Sequence, residues 1–367
     1  MLERNTFGLK FMLTSLLQGY LWIPTRLVPI TKLVEIIFNF YRKQQMKYPT
    51  YDVFDFAIEK NGLQSTHLNR VSGAGIVIQG PIREEFDFSY RIIDYYLQVF
   101  DNVQIVLSTW DGVELKKFRE LESKHLNFHI IAQQIPSEPG ISNINLQILS
   151  TLAGLKKLEE LGIQFAIKTR TDQCMFDPFA IIKLKHLFSS ESSNENGVQK
   201  IIVLSLGTFL FRPYGVSDFF QFGSIRDLLT YWDVPLDYRK IVDLGIDGWD
   251  FTLRQWASEE CIEVYLAAHY LRAKGEHLDF SLGSSLLMFK SHFIVVDPAF
   301  IELIWDKRTY KSNRWKQTSF PRLHQELTHG LWLTLDQNMK RLSELDYLLD
   351  IKLGESDFSS EIDRNVN

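Results

Sequence analysis

The chain has 367 residues, of which 45% are hydrophobic and 23% are charged, and its formal net charge is -5. This length and composition indicate a globular protein with a sizeable core, built as one large domain with extensions or as two domains. The charge and the lack of a dense Lys/Arg run argue against nucleic acid as the main partner, because phosphate binding depends on clustered cations. The two cysteines, Cys174 and Cys261, fit no zinc or redox spacing, which favours a reducing compartment, the cytoplasm.

The N-terminal region contains an apolar stretch, Phe11 to Pro24. It is shorter than the ~20 residues of a membrane span, and no small-residue cleavage site marks a secretory signal. Residues 7–41 have two interpretations: a pair of helices packed on the core, or an interfacial segment with Trp22 and Arg26 at the lipid headgroups. We predict that residues 1–70 form a helical N-terminal extension, which makes peripheral membrane contact in the second interpretation.

Short β-branched runs then alternate with segments of helical spacing. The predicted strands are Gly75 to Pro81, Val103 to Trp110, Phe128 to Pro136 and a run that ends at Asp172. The predicted helices are Asp87 to Phe100, a polar helix before the third strand, and Ser142 to Gly162, with Ser142 as its cap and Gly162 as its stop. This alternation predicts an α/β/α sandwich with a mainly parallel central sheet.

The pattern beyond Asp172 is less regular. Lys200 to Phe211 predicts one or two strands, Tyr214 to Ser224 leads into a helix, and Ser258 to Gly275 predicts a helix with a Ser cap and a Gly stop. We expect one α/β domain over residues 71–310 and a mainly helical C-terminal extension over residues 311–367.

The strand that ends at Asp172 carries three charges. Alternate residues of an extended chain share a face, so Lys168, Arg170 and Asp172 line one side. Gly80-Pro81 and Asp111-Gly112 also follow strands, and ligands of parallel sheets bind at such carboxyl ends. The charges suit the diphosphate of a nucleotide sugar: Arg170 can make paired hydrogen bonds, Lys168 a point-charge contact, and Asp172 can hold Mg²⁺ or Mn²⁺. The alternative is an Arg-Asp pair that is purely structural.

The helix after Ser142 carries an uncharged polar stripe. Asn143, Gln147, Thr151 and Gly154 recur at helical spacing on one side. Such a stripe suits contacts to sugar hydroxyls, and it also suits an ordinary solvent face.

Three acids are candidates for catalysis. Glu259 and Glu260 open the predicted helix after Ser258, where an acid can act as the general base toward an acceptor hydroxyl. Acids at this position also stabilise a helix N-terminus through the dipole, without any catalytic role. Asp218, in a loop, can orient an acceptor or simply cap a turn.

Five motifs occur in an order that resembles the WavE-type lipopolysaccharide-synthesis family, whose members are regarded as bacterial glycosyltransferases of GT-A-like character. They are Ile76 to Ile82, Ile105 to Gly112, Pro139 to Thr151, Ile167 to Asp172 and Gly215 to Gly223. The resemblance extends from about Gly75 to Leu271. It implies a nucleotide-sugar donor, a saccharide acceptor and, often, Mn²⁺ or Mg²⁺.

The resemblance also implies roles for single residues. Gln79, Gly80 and Pro81 would lie under the nucleotide, Asp111 would meet the base or ribose, Asn143 and Gln147 would face the donor, Asp172 would be the metal-binding acid, and Glu259 or Glu260 would be the base of an inverting enzyme.

One departure from the family pattern concerns the metal. A full Asp-x-Asp motif is missing, because residue 170 is Arg. Either a metal is held by Asp172 and a later residue, with Asp177, His277 and His292 as candidates, or Arg170 and Lys168 neutralise the leaving diphosphate without a metal.

We therefore expect a cytoplasmic glycosyltransferase of lipopolysaccharide or surface-polysaccharide assembly, with a lipid-linked or core oligosaccharide as acceptor and the N-terminal segment resting on the inner membrane. One alternative is a sugar-phosphate nucleotidyltransferase, but the single glycine and the proline after the first strand do not form the Gly-rich loop typical of that class. The other is a non-catalytic saccharide-binding or assembly subunit on a degenerate transferase fold.

Overall fold

The structure is a computed structural model that describes residues 73–84, 87–100, 102–191, 199–245, 251–305 and 325–352. The predicted N-terminal extension lies outside the described residues, as does the part of the C-terminal extension that falls outside 325–352. Within the described ranges, no helix has both the length and the apolar character needed to cross a bilayer. The proposed domain boundaries stay a prediction.

Nine strands occur in the described ranges. They are β1 Ala74–Gln79, β2 Gln104–Trp110, β3 Phe128–Gln133, β4 Phe165–Arg170, β5 Gln173–Met175, β6 Ile201–Leu204, β7 Gln221–Ser224, β8 Phe293–Val296 and β9 Leu303–Trp305. Seven of them form one sheet in the order β3-β2-β1-β4-β7-β6-β8, and β5 and β9 form a separate antiparallel pair.

The central sheet is mainly parallel, as predicted. β1 pairs in parallel with β2 and β4, β2 with β3, and β6 with β8. Only β7, among the described strands of this sheet, runs antiparallel to its neighbours β4 and β6. Every residue of β1, β6 and β8 is buried, which explains why these strands read as continuous apolar runs rather than as alternating patterns.

The strand order reverses at β1. The chain moves from β1 outward through β2 to β3, and then returns to place β4 on the other side of β1. A reversal of this kind opens a crevice at the carboxyl ends of the two central strands, where ligands of α/β proteins bind. The register places Gln79, the last residue of β1, between Ser108 of β2 and Arg170 of β4.

Helices flank the sheet, giving the predicted α/β sandwich. They are α1 Phe88–Val99, α2 Lys116–Lys124, α3 Ile144–Glu160, α4 Ala180–Glu191, α5 Ile225–Trp232, α6 Leu253–Ser258, α7 Glu263–Ala273, α8 Leu282–His292, α9 His329–Leu333 and α10 Leu335–Ser343.

Two glycines bring α3 unusually close to the sheet. A Cβ atom at Gly154 of α3 would lie 2.4 Å from Cγ1 of Val77, and a Cβ atom at Gly75 of β1 would lie 2.6 Å from Cδ2 of Leu158. Real Cβ atoms essentially never come so close to a neighbour, so a side chain at either position would force Val77 or Leu158 to move. The polar stripe of α3 therefore ends in a glycine because the helix packs there directly on β1.

Two predicted helix boundaries are wrong. Ser142 does not cap α3: it has φ +52°, Asn143 follows with φ +64°, and neither side chain caps the helix, which begins at Ile144. The predicted stop at Gly162 is confirmed: α3 ends at Glu160, and Gly162 has a φ of +73°, the left-handed conformation that is common just after a helix C-terminus. The predicted helix from Ser258 to Gly275 is two helices, and the break between them is described with the site below.

We expect Gly154→Ala to lower the free energy of unfolding by about 1–3 kcal/mol, because the added methyl group overlaps Val77. Helix propensity alone would raise it by about 1 kcal/mol. Gly330→Ala in α9 is the matched control, since nothing lies within 4 Å of its Cβ position. In urea denaturation, Val77→Ala should relieve part of the loss, giving a coupling of about 0.5 kcal/mol or more; additive effects would contradict the proposed close approach.

Candidate active site

The ends of β1, β2 and β4 are hydrogen-bonded together where the strand order reverses, a position called the switch point below. The Thr171 N–H donates to the Gln79 carbonyl at 3.1 Å, and the Thr171 hydroxyl donates to the Pro81 carbonyl at 2.6 Å. The Gly80 N–H donates to the Ser108 carbonyl at 3.0 Å, and Gly80 has φ +120°, which glycine alone adopts readily. The predicted residues Gln79, Gly80 and Pro81 therefore lie together beside the end of β4, with Pro81 exposed at the rim.

Uncharged polar side chains line the contact between α3 and the ends of β1 and β2. Ser150 Oγ donates to Gln79 Oε1 at 2.9 Å. Ser108 Oγ, Gln147 Oε1 and Thr151 Oγ1 are buried and have no hydrogen-bond partner among the described residues. Leaving such an atom unpaired costs about 1–3 kcal/mol.

Only part of the polar stripe of α3 faces solvent. Asn143 is exposed, Gln147 is half-buried and Thr151 is buried. The solvent-face alternative is therefore wrong for the stripe as a whole. The predicted contacts of Asn143 and Gln147 with a donor stay a prediction.

Asp111 lies at the rim, where β2 ends. It is exposed, and its N–H donates to the Gln133 carbonyl at 2.7 Å. A cavity of about 270 Å³ opens between the chain that follows β1 and the chain that follows β2. Its lining residues are Ile82, Arg83, Glu84, Asp87, Tyr90, Glu114, Lys117 and Phe118.

Arg170 and Asp172 form an ion pair at the end of β4. Arg170 Nε donates to Asp172 Oδ1 at 3.0 Å, and the Nη2 atom of Arg170 lies 3.4 Å from Oδ2. The Asp172 side chain is 4% exposed and that of Arg170 is 16% exposed, so both side chains are largely buried and Arg170 keeps the greater contact with solvent. The prediction that the two side chains share a face is confirmed.

Lys168 is buried and turns away from solvent. Its ammonium donates to the Asp218 backbone carbonyl and lies 4.8 Å from the centre of the Trp232 ring. Burial lowers the pKa of Lys168 to about 7; the charge of Arg170 acts in the same direction, and the carboxylates of Asp218 and Asp172 oppose it. A buried ammonium bonded to a carbonyl is not placed to contact a phosphate. This hydrogen bond instead connects the segment before β7 to the end of β4.

Asp218 is a buried acid beside that strand end. It precedes β7, whose first residue Gln221 pairs with Lys168 in the sheet. The next residue, Phe219, has its ring centre 5.9 Å from the guanidinium carbon of Arg170. Asp218 is thus a predicted catalytic acid whose backbone contacts β4 directly, through Lys168.

Glu259 and Glu260 do not open a helix, so this prediction is wrong. Glu259 ends α6, and Glu260 has φ +50° in the turn before α7. Arg239 donates to the backbone carbonyls of both residues, at 2.8 Å and 3.1 Å, and the Glu260 carboxylate pairs with Arg272. Ile262 has φ +52° and ψ -116°, a conformation that a β-branched residue rarely adopts, and it breaks the helix although no Gly or Pro signals a break.

The acid that opens α7 is Glu263. It pairs with Arg212 at 2.8 Å, and both side chains are largely buried. The stabilising role of an acid in the first helical turn therefore falls to Glu263 rather than to the two preceding acids.

Two of the residues proposed as further metal ligands, Asp177 and His292, have other partners. The Asp177 carboxylate pairs with Lys183 and accepts from the Phe179 N–H, and His292 bonds Glu276 at 2.7 Å. No group of three His, Cys, Asp or Glu side chains that can hold a metal ion occurs within the described ranges. A metal ion held by Asp172 together with the phosphates of a ligand stays a prediction.

Sequence reasoning missed several residues of this region. Ser108 and Ser150 gave no signal beyond their position near a strand end and on a helix. Phe219 lies beside Asp218 and could have been found from that neighbour, whereas Trp305 reaches the site through β9, a strand the sequence pattern did not predict.

The fold is an α/β sandwich that carries the Arg170–Asp172 ion pair where the strand order of its sheet reverses. The sequence model of the family described as WavE lipopolysaccharide synthesis matches residues 74–340. The match covers more than half of the chain, which therefore belongs to this family of lipopolysaccharide synthesis. A comparison with curated proteins finds no match.

The burial of Lys168 predicts a pH-dependent stability. Its pKa is lower in the folded protein than in the unfolded chain, so between about pH 7 and about pH 10 the unfolded state binds more protons, and the free energy of unfolding rises with pH. Removing the amine in Lys168→Met should remove this rise, which is at most about 1.4 kcal/mol per pH unit.

Urea denaturation of both proteins at about pH 7 and about pH 9 measures this difference. Lys183→Met, at a half-exposed position in α4, controls for the loss of one positive charge. If the wild-type free energy of unfolding stays constant or falls relative to that of Lys168→Met as the pH rises, the assignment is contradicted.

Proposed function

We propose that the protein is a nucleotide-sugar-dependent glycosyltransferase of GT-A-like character, which adds one sugar to a lipid-linked or core oligosaccharide during lipopolysaccharide or surface-polysaccharide assembly. The observation that carries this proposal is the Arg170–Asp172 pair at the β1–β4 switch point, beside buried polar groups that lack hydrogen-bond partners. Membership in a lipopolysaccharide-synthesis family supports the saccharide substrate.

The geometry suggests an orientation for the donor. The cavity between the chain segments that follow β1 and β2 has room for a nucleoside, and Tyr90 on its wall offers a ring for stacking. The diphosphate would then extend past Gly80 toward the end of β4. There the Arg170 guanidinium presents a planar fork of donors that matches phosphate geometry, which a lysine cannot reproduce.

Arg170 would stabilise the charge that develops on the leaving group. As the bond from the anomeric carbon to the diphosphate breaks, the electron pair stays with the phosphate oxygen, and a fixed cation nearby lowers the energy of that state. Asp172 holds the guanidinium in place through the observed ion pair. Of the two alternatives for charge neutralisation, we propose the arginine, because Asp172 is already paired with it.

Asp218 would act as the general base. In a direct displacement, the acceptor hydroxyl oxygen bonds to the anomeric carbon and its proton passes to a carboxylate, with inversion of configuration. Asp218 lies beside the charged end of β4, and Lys168 fixes its backbone. Glu260 is engaged by Arg272 in the turn before α7, which leaves Asp218 as the better candidate.

The place of action is also a proposal. Lipid-linked acceptors are assembled at a membrane surface, so we propose that the protein works on the cytoplasmic side of the inner membrane and that residues 7–41 contact that surface.

A second function is a saccharide-binding or assembly subunit without catalysis. It is favoured by the same ion pair, because Arg170 already occupies the carboxylate that metal-dependent transferases use. Donor hydrolysis separates the two: a transferase releases nucleoside diphosphate slowly even without acceptor, and a pure binder does not.

We expect one class of nucleotide sugar among UDP, GDP, CMP and dTDP donors to raise the melting temperature of the protein, with the rise surviving EDTA. Arg170→Gln and Arg170→Lys should each weaken donor binding about 10- to 100-fold, because a bidentate charged contact is lost. Arg119→Gln is the matched control, an exposed arginine in an ion pair on α2.

The double variant Arg170→Gln/Asp172→Asn separates binding from stability, since it leaves no unpaired carboxylate behind. Equal donor affinity in the wild type and this variant would exclude the arginine from the donor site, and a shift abolished by EDTA would restore the metal alternative.

We expect Asp218→Asn to lower the rate of transfer by about 100-fold or more with donor affinity retained, because the base is removed and the shape is kept. Glu259→Gln and Glu260→Gln should change the rate by less than about 10-fold, since neither acid opens a helix toward the site. Steady-state kinetics of the three variants decide between the acids; a large loss in Glu260→Gln with normal Asp218→Asn would reverse the assignment.

A further inference from the structure

Two aromatic rings stand beside the Arg170–Asp172 pair. The centres of Phe219 and Trp305 lie 4.7 Å apart with the ring planes inclined at 49°. The guanidinium carbon of Arg170 is 5.9 Å from the first centre and 5.8 Å from the second. Both aromatic residues are half-buried.

The fold builds this pair from distant parts of the chain. β9 pairs with β5 so that Trp305 stands opposite Gln173, the residue that follows Asp172. Phe219 occupies space that a side chain at residue 207 would fill: a Cβ atom at Gly207 would lie 2.9 Å from Phe219 Cε2, and Gly207 has φ +85°. The two rings are thus held by separate backbone segments rather than by local sequence.

The aromatic pair and the proposed donor crevice lie on different sides of β4. The crevice lies between β4 and β1, where Gln79 pairs with Arg170. Phe219 belongs to the segment that leads into β7, the neighbour of β4 on the other side. Asp218, the proposed base, immediately precedes Phe219. A molecule on the rings would therefore approach the reaction centre from the side opposite the nucleotide.

The chemistry of this surface suits a sugar ring. Aromatic faces are electron-rich and attract the weakly positive C–H groups on the apolar face of a pyranose, while the hydroxyl groups at the ring edge need polar partners. The Arg170 guanidinium lies next to both rings, and Asp218 precedes Phe219 in the chain. Two rings inclined to one another also present more contact area than a single exposed aromatic side chain.

We propose that Phe219 and Trp305 form the acceptor subsite, on which a pyranose ring of the acceptor saccharide stacks with one hydroxyl directed to Asp218. This inference rests on the proposed transferase function, because it assigns the second substrate of the same reaction.

The test is a saccharide titration without nucleotide, followed by tryptophan fluorescence and by calorimetry. The probes are methyl pyranosides of glucose, galactose and mannose, and core oligosaccharide released from lipopolysaccharide by mild acid. We expect one probe to change the tryptophan emission of the wild type, and we expect Trp305→Phe to lack this change. Tyr347→Leu is the control, because it replaces an exposed aromatic residue in another part of the chain, and it should keep the change.

Calorimetry gives the affinity independently of the fluorophore. Trp305→Ala should weaken binding of the same probe at least about 10-fold, because a stacking face is removed. If that variant does not fold, Phe219→Leu tests the same surface, since it keeps apolar volume and removes the aromatic face. The proposal would be overturned if these variants bind the probe with wild-type affinity. It would also be overturned if no probe changes the emission, or if the change persists in Trp305→Phe.

The two proposals fail in distinguishable ways. Because the titration contains no nucleotide, it reports on the aromatic pair even if no donor binds. A donor-induced rise in melting temperature together with unchanged saccharide affinity in Trp305→Ala and Phe219→Leu would overturn the acceptor subsite alone.

Discussion

The pairing of β1 with β4 is the constraint on which the site depends. These strands are distant in sequence, and their parallel ladder runs from Ala74–Phe165 to Gln79–Arg170. The ladder sets the uncharged end of β1 directly beside the charged end of β4. It is possible because α3, which connects β3 to β4, lies close on the sheet, and that closeness in turn requires Gly75 and Gly154. A change in this contact would therefore move both halves of the crevice.

Burial gives the charges of β4 different roles although they share a face. Lys168 is fully enclosed, and water no longer stabilises its ammonium, so its pKa falls and its contact is with a backbone carbonyl. Arg170, two residues on, keeps part of its guanidinium at the surface and is oriented by Asp172. Because Lys168 is fully buried and Arg170 is only partly buried, Lys168 has a structural role, whereas Arg170 can contact an anionic ligand.

The sequence predicted the regular part of the fold well. The β-branched runs at β1, β2 and β3 and the gathering of Gln79, Arg170 and Asp172 at strand ends follow from local pattern and from the rule for parallel sheets. The break at Glu260 to Ile262 could not be predicted, because no local turn residue marks it and the Arg239 contacts to its carbonyls come from a distant part of the chain. β7, β8 and β9 are three or four residues long, too short for periodicity to mark, and with them the position of Trp305 was missed. The metal and the donor contacts of α3 depend on molecules that no pattern in the chain specifies.

Amide hydrogen exchange with each nucleotide sugar present is the most direct test of the donor site, because it locates the bound ligand as well as detecting it. We expect one donor class to slow amide exchange in the segments around the β1–β4 switch point, residues 79–84, 108–114 and 169–173. Amide exchange in α10 should be unchanged. Protection confined to other parts of the chain, or no protection by any nucleotide sugar, would contradict the assignment of the crevice as a donor site.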